Sequence, residues 1–146
     1  MPAWHDAHRE LPVLFAASSV AAAGGLGLLG SPVGENVPAA RLGAAGAAVE
    51  LLVAAAMERR LGEVGTKYRT GTAGRCMTAA RCLSAIGAIG ALAGRRHRGT
   101  ATTSGLALLA GSLATRFGVF LAGKASAADP RDTIAPQRAR LDANLT

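Results

Sequence analysis

The chain has 146 residues, a formal net charge of +7 and an isoelectric point near 11.0. Half of it is hydrophobic, 17% is charged and 3% is aromatic, while 34 alanines and 19 glycines make up more than a third. Soluble domains of this size carry roughly a quarter charged residues, so the composition argues against an ordinary water-soluble enzyme. The absence of a Gly-X-Y repeat excludes collagen, and low charge with positive mean hydropathy argues against disorder.

The first apolar segment, Leu11–Gly30, holds no charged residue and is long enough to cross a bilayer as one helix. A signal peptide is disfavoured there, because Asp6 and Glu10 interrupt the basic leader and the run is too long for an h-region. A second segment, 38–57, is apolar apart from Arg41 near its start and Glu50. The third, 76–94, carries Arg81, and the fourth, 100–123, carries Arg116. A soluble bundle would show a charged face on each helix, and the first segment has none. The expected fold is therefore all-α, an integral membrane bundle of about four transmembrane helices. Residues 1–10 form an interfacial segment, 11–125 the membrane domain and 126–146 a cytoplasmic tail.

With four spans, one side receives both termini and the middle loop, and ten Lys and Arg residues, against four on the other side. The positive-inside rule then places both termini in the cytoplasm of a multi-pass cell-membrane protein, although Arg95, Arg96 and Arg98 lie opposite. Trp4 suits an interfacial anchor. Small residues at four-residue spacing suit close helix packing: Ser19, Ala23 and Gly27; Gly43 and Ala47; Gly90 and Gly94; Ala107 and Gly111.

Glu50, Arg81 and Arg116 are the ionisable residues inside the spans. Such groups cost several kcal/mol unless they pair or meet water, which makes them proton-path or polar-pocket candidates. At about 1.5 Å per residue, all three lie roughly 8–12 Å from the same membrane face. Glu50 is expected to face Arg116 or Arg81 in a pocket open to the cytoplasm. The alternative is a structural ion pair with the arginines snorkelling to the surface, and Arg81 is shallow enough for that.

His5, Asp6, His8, Arg9 and Glu10 form a second polar cluster. His5 and His8 share a helical face, but a two-histidine motif alone is a weak metal signal, and a polar interfacial cap is the simpler reading. No catalytic constellation, phosphate loop or zinc spacing occurs. Cys76 and Cys82 lack the spacing of a metal or iron–sulfur site. No histidine lies in a span, so no pair could clamp a haem between helices. The scattered arginines report topology and anionic lipid rather than nucleic acid.

Several stretches carry a family resemblance. His5-Asp6-Ala7-His8-Arg9-Glu10-Leu11-Pro12 leads into Phe15, Ser18 and Gly24-Gly25; Pro38-Ala39-Ala40-Arg41 precedes Gly46-Ala47-Ala48-Val49-Glu50-Leu51. Thr115-Arg116-Phe117-Gly118-Val119-Phe120 precedes Ala122-Gly123, Ser126-Ala127, Asp129-Pro130 and Pro136-Gln137-Arg138. These resemble the NrfD, or polysulfide-reductase, membrane-subunit family over nearly the whole chain. The resemblance implies a membrane-anchor subunit of an oxidoreductase complex, not catalytic alone. It would relay electrons between the quinone pool, menaquinone included, and an iron–sulfur partner, with a catalytic subunit, often a molybdopterin enzyme, beyond it. It implies no haem and no metal in this chain, a quinone as the redox molecule, and proton-path roles for Glu50 and Arg116. The family usually has about eight spans, so the chain looks like its C-terminal half and would pair with a separate N-terminal helical half. No quinone ligand is carried over. Two other readings stand beside it: a small helical transporter or proton-path protein using Glu50 and Arg116, and an inert membrane scaffold.

Overall fold

In the computed structural model, residues 4, 5, 7–65, 68–94 and 96–128 are described, the side chains of 62–65 excepted. Four long helices make up nearly all of it: α1 (Leu11–Gly30), α2 (Val37–Gly65), α3 (Gly71–Ala93) and α4 (Arg98–Ala128). Each is long and apolar enough to cross a membrane, and no strand occurs among the described residues. The fold is that of a multi-pass membrane protein.

Local sequence explains where the helices begin and turn. Pro12 lies in the first turn of α1, where its missing N–H costs no internal bond. The Ser31 N–H closes the other end on the Gly27 carbonyl at 2.9 Å. Arg98 then reaches back from the start of α4 and donates to the carbonyls of Leu29 at 2.5 Å and Ser31 at 2.7 Å. A cation there also suits the negative end of the α1 dipole. Gly71 opens α3 with φ +61°, a left-handed conformation that side-chain-bearing residues rarely adopt.

Each helix packs on its chain neighbour and α1 closes the ring against α4, whereas the diagonal pairs α1–α3 and α2–α4 barely touch. On α2 and α3 one row of buried positions steps by three and four residues. On α2 the row Ala40, Gly43, Ala47, Glu50, Ala54, Met57 and Leu61 is flanked by the buried Gly46 and Glu58; on α3 the row Ala73, Met77, Ala80, Ser84, Gly87 and Ala91 is flanked by Gly74. A 3.5-residue average is the repeat of left-handed helix packing.

What fills the seams differs from a soluble core. Ser18, Ser84, Ser104, Ser112 and Thr115 face inward, while Leu26 (63% exposed), Leu52 (71%), Ile86 and Ile89 face outward. Water would drive the opposite sorting; in lipid, small and hydroxyl residues face the neighbouring helices and large apolar ones face the chains. Helices α1 and α2 approach closely at Gly24 and Gly43, where any side-chain carbon on Gly24 would overlap the Gly43 backbone.

The helices outrun the apolar spans read from sequence. Whereas 38–57 was the expected span, α2 continues to Gly65 because Glu58 and Arg60 find partners on neighbouring elements. Helix α3 begins at Gly71 rather than 76, and α4 runs from Arg98 to Ala128 rather than over 100–123. The small-residue row on α1 is also displaced: Ala17, Ala21 and Gly24 are buried, and Ser19 and Ala23 face outward. Gly43, Ala47 and Gly111 lie in the seams as expected. Of the tail, only Ser126, Ala127 and Ala128 are described, as the end of α4; 129–146 lie outside the described residues, as do Asp6 and Arg95.

Candidate functional site

At mid-bundle the interior turns polar. Glu50 sits on the buried seam of α2 and is 3% exposed. Its carboxylate accepts a short hydrogen bond from the Thr115 hydroxyl of α4, and one from the Ser84 hydroxyl of α3 at 3.4 Å. Thr115 also reaches the Gly111 carbonyl one turn back, at 3.2 Å. Next to this group, Ser18 of α1 donates to Ser112 of α4 at 2.9 Å.

Arg116 lies in the same layer on the outer side of the α1–α4 groove. One guanidinium nitrogen donates to the Ser112 carbonyl at 3.1 Å, to the Ser112 hydroxyl and to the Ser18 hydroxyl at 3.4 Å. The other terminal nitrogen donates to the Ser19 hydroxyl at 2.9 Å. All of these acceptors are neutral. Among the described residues no carboxylate reaches Arg116, and none of its bonds uses the Nε–H.

Arg81 belongs elsewhere. It pairs closely with Glu58 of α2, a carboxylate that also accepts from Arg69 at 3.2 Å. Glu58 is 5% exposed, so the carboxylate is buried and the two arginines reach it from the surface.

The expected contact between Glu50 and either arginine is therefore absent among the described residues. Helical phase is the reason. Arg116 follows Thr115, which points into the seam, and is turned about 100° away from it toward α1. Arg81 follows the buried Ala80 and leans toward α2 closer to the α2–α3 connection, where Glu58 waits.

Beside Arg116 the groove is lined by aromatic side chains. Trp4, Leu11, Phe15, Arg116, Val119 and Phe120 line an open cleft of about 300 Å³. A second cleft of about 390 Å³, between Leu113, Arg116, Phe117 and Phe120, shares Arg116 and Phe120 with it. The chain has five aromatic residues, and four of them line these two clefts. Trp4 is fixed by its indole N–H on the Val119 carbonyl at 3.0 Å, and Lys124 lies 5.8 Å over the Phe120 ring.

The N-terminal cluster divides. Glu10 is clamped by Arg60 of α2, one guanidinium bond measuring 2.6 Å and the other shorter. That bond holds the Glu10 carboxyl below the usual carboxylate range, against the opposing pull of desolvation. His8 contacts the His5 carbonyl at 2.8 Å and the two rings stack, while Arg9 is exposed. Among the described residues no group of three or more His, Cys, Asp or Glu could hold a metal ion.

Sequence reasoning found Glu50 and Arg116 but missed their partners. Serine and threonine at seam positions were the available signal, and in an Ala-rich chain it is faint. Glu58 was missed because it follows the apolar run and reads as the first residue of a loop. Compared with family models, with curated proteins and with solved structures, the chain matches none.

Proposed function

We propose that this chain is a membrane-anchor subunit, whole or as one half, of a quinone-linked oxidoreductase complex, as in the NrfD-type subunits it resembles. The observation that supports the reading is the mid-bundle polar layer of Glu50, Ser84, Thr115, Ser18, Ser112 and Arg116. A carboxylate inside a membrane helix costs several kcal/mol without partners, and an inert anchor has no need of one. Quinol oxidation releases two electrons and two protons, so such a subunit needs titratable groups within the bilayer as well as an electron acceptor.

The acceptor belongs to a partner. The chain has two cysteines, Cys76 and Cys82, whereas an iron–sulfur cluster takes four ligands. An iron–sulfur protein, and behind it a catalytic subunit, would dock on the face that carries both termini. By the positive-inside rule that face is cytoplasmic, in the cell membrane. A second reading, a small transporter or proton path, is favoured by Glu50 alone, whose partners are hydroxyls rather than a fixed cation.

Mild-detergent capture of the tagged chain from its native membrane, read by mass spectrometry, tests the proposal. Recovery of an iron–sulfur protein, with or without a second helical half, is the expected result. Recovery of the chain alone as a defined oligomer would transfer the assignment to the transporter reading.

A further inference from the structure

We propose that Glu50, Thr115 and Ser84 form a buried binding site for a monovalent alkali cation of sodium size, independent of any electron-relay role. Glu50 is 3% exposed, and its bonds in the structure come from two hydroxyls. Among the described residues no cationic side chain reaches it: Arg116 ends on Ser18, Ser19 and Ser112, and Arg81 on Glu58. A carboxylate inside a membrane bundle needs a counter-charge or a proton, and the fixed neighbours supply no charge. The donor set defines the ion. The polar atoms at the site are oxygens: the two of Glu50, the hydroxyls of Thr115 and Ser84, and the adjoining Gly111 carbonyl. Such surroundings suit a hard cation and not a transition metal, which favours imidazole or thiolate. One carboxylate balances one positive charge, so a monovalent ion leaves the site neutral, whereas a divalent ion would leave net charge buried.

The spacing and the hydroxyl geometry supply the second argument. The Ser84 hydroxyl stands 3.4 Å from the Glu50 carboxylate, beyond the range of about 2.5–3.0 Å for an O–H···O bond. Two oxygens each about 2.4 Å from one hard cation, and at right angles around it, lie about 3.4 Å apart. Thr115 meets both the Glu50 carboxylate and, at 3.2 Å, the Gly111 carbonyl. A hydroxyl has one hydrogen and so serves one acceptor at a time. Turning that hydrogen to Gly111 leaves a lone pair facing Glu50, which makes Thr115 a ligand without moving a helix. Gly111 keeps the space open, because a side-chain carbon there would lie 2.6 Å from the Ser84 hydroxyl.

Equilibrium binding of radioactive sodium to the tagged full chain in detergent tests the site, with choline chloride holding the ionic strength constant. One saturable sodium ion per chain is expected. Binding should be lost in Glu50→Gln, and half-saturation should rise at least about tenfold in both Thr115→Val and Ser84→Ala. Thr103→Val should leave it unchanged, because that hydroxyl is exposed and bonds to carbonyls of Gly99 and Thr100 on its own helix. Potassium, too large for the spacing, should displace the label at least about tenfold less well than unlabelled sodium. Circular dichroism identifies any variant that has lost its helices; Thr115→Val and Ser84→Ala keep the carboxylate and decide the matter if Glu50→Gln does not fold. Absence of saturable binding overturns the site and leaves Glu50 to protons. So does saturable binding that survives Glu50→Gln, binding that neither hydroxyl substitution weakens, or equal displacement by potassium. An iron–sulfur partner recovered with the chain, together with no sodium binding, would leave the subunit role standing and remove only this site.

Discussion

Thr115 donates its hydroxyl to Glu50 across the diagonal of the bundle, joining α4 to α2, two helices that otherwise barely meet. Ser84 completes the grip from α3. One carboxylate thus ties three helices together through neutral partners. Such an arrangement holds Glu50 in place without neutralising it by a fixed cation, unlike Glu58, which is fastened by two arginines.

That difference separates structural from functional substitution at the two glutamates. Glu50→Gln keeps an acceptor for Thr115 and Ser84 and removes the titratable group. Assembly and thermal stability in detergent should stay near wild type, while on the proposal that the chain is a quinone-linked anchor, quinol-linked electron transfer by its complex falls at least about tenfold. If both assembly and electron transfer remain at wild-type levels, Glu50 has no proton role.

At Glu58 the effect is structural. Removing the shared carboxylate leaves Arg81 and Arg69 without the buried partner they converge on. Glu58→Gln and Arg81→Gln should each destabilise, and the double variant should lose less than the two separate losses together, with a coupling of about 1–3 kcal/mol. Denaturation of the four proteins of this cycle measures it. Additive losses would show that the pair contributes nothing jointly.

The two glutamates also show how far sequence reaches. Four spans are legible because hydropathy needs only a window average, and each segment is long enough to cross a bilayer. A partner depends instead on which way a side chain points. Glu50, Arg81 and Arg116 are all visible as charges in apolar runs at similar depth, yet one residue of helical phase sends Arg116 to Ser18, Ser19 and Ser112 and leaves Thr115 facing Glu50. Hydroxyls among alanines carry little signal until the seam is known. The aromatic cleft was equally hidden, because Trp4 and Phe15 come from one end of the chain and Phe117 and Phe120 from the other.

Helix approach at Gly24 allows a sharp packing test. Gly24→Leu must push α1 away from the Gly43 backbone and should cost about 1–3 kcal/mol, by the usual scale for overpacking. Gly30, with open space around it, is the control, and Gly30→Ala should be neutral or mildly stabilising. Equal stability of the Gly24 and Gly30 variants in a denaturant titration would contradict the close α1–α2 contact.

Arg98 makes a prediction at the opposite end of the bundle. Its two bonds, to the Leu29 carbonyl at the end of α1 and to the Ser31 carbonyl just beyond it, fasten the α3–α4 hairpin to the α1–α2 hairpin. Because the bonds are exposed, Arg98→Ala should cost only about 0.5–1 kcal/mol. The loss should be local, seen as faster amide exchange over the last turn of α1, with the Glu50 layer still protected. Unchanged exchange there would mean that water replaces the arginine fully.

The Glu10–Arg60 clamp should be visible in the pH dependence of stability. In the folded chain the Arg60 hydrogen bond holds the Glu10 carboxyl below its ordinary value, so the folded protein binds that proton less readily than the unfolded chain does. The contribution is therefore complete above the unfolded carboxylate pKa of about 4.3. It diminishes as pH falls toward the lowered folded value, when Glu10 protonates and the ion pair is lost. Glu10→Gln removes this component at every pH. The difference in thermal midpoint between wild type and Glu10→Gln should be largest at neutral pH and shrink toward about pH 3. Arg60→Gln should show the same shrinking difference, because it removes the other half of the same pair. A difference that stays constant across that range would mean that packing of the two stems, rather than the charge on Glu10, holds α1 to α2 at this end.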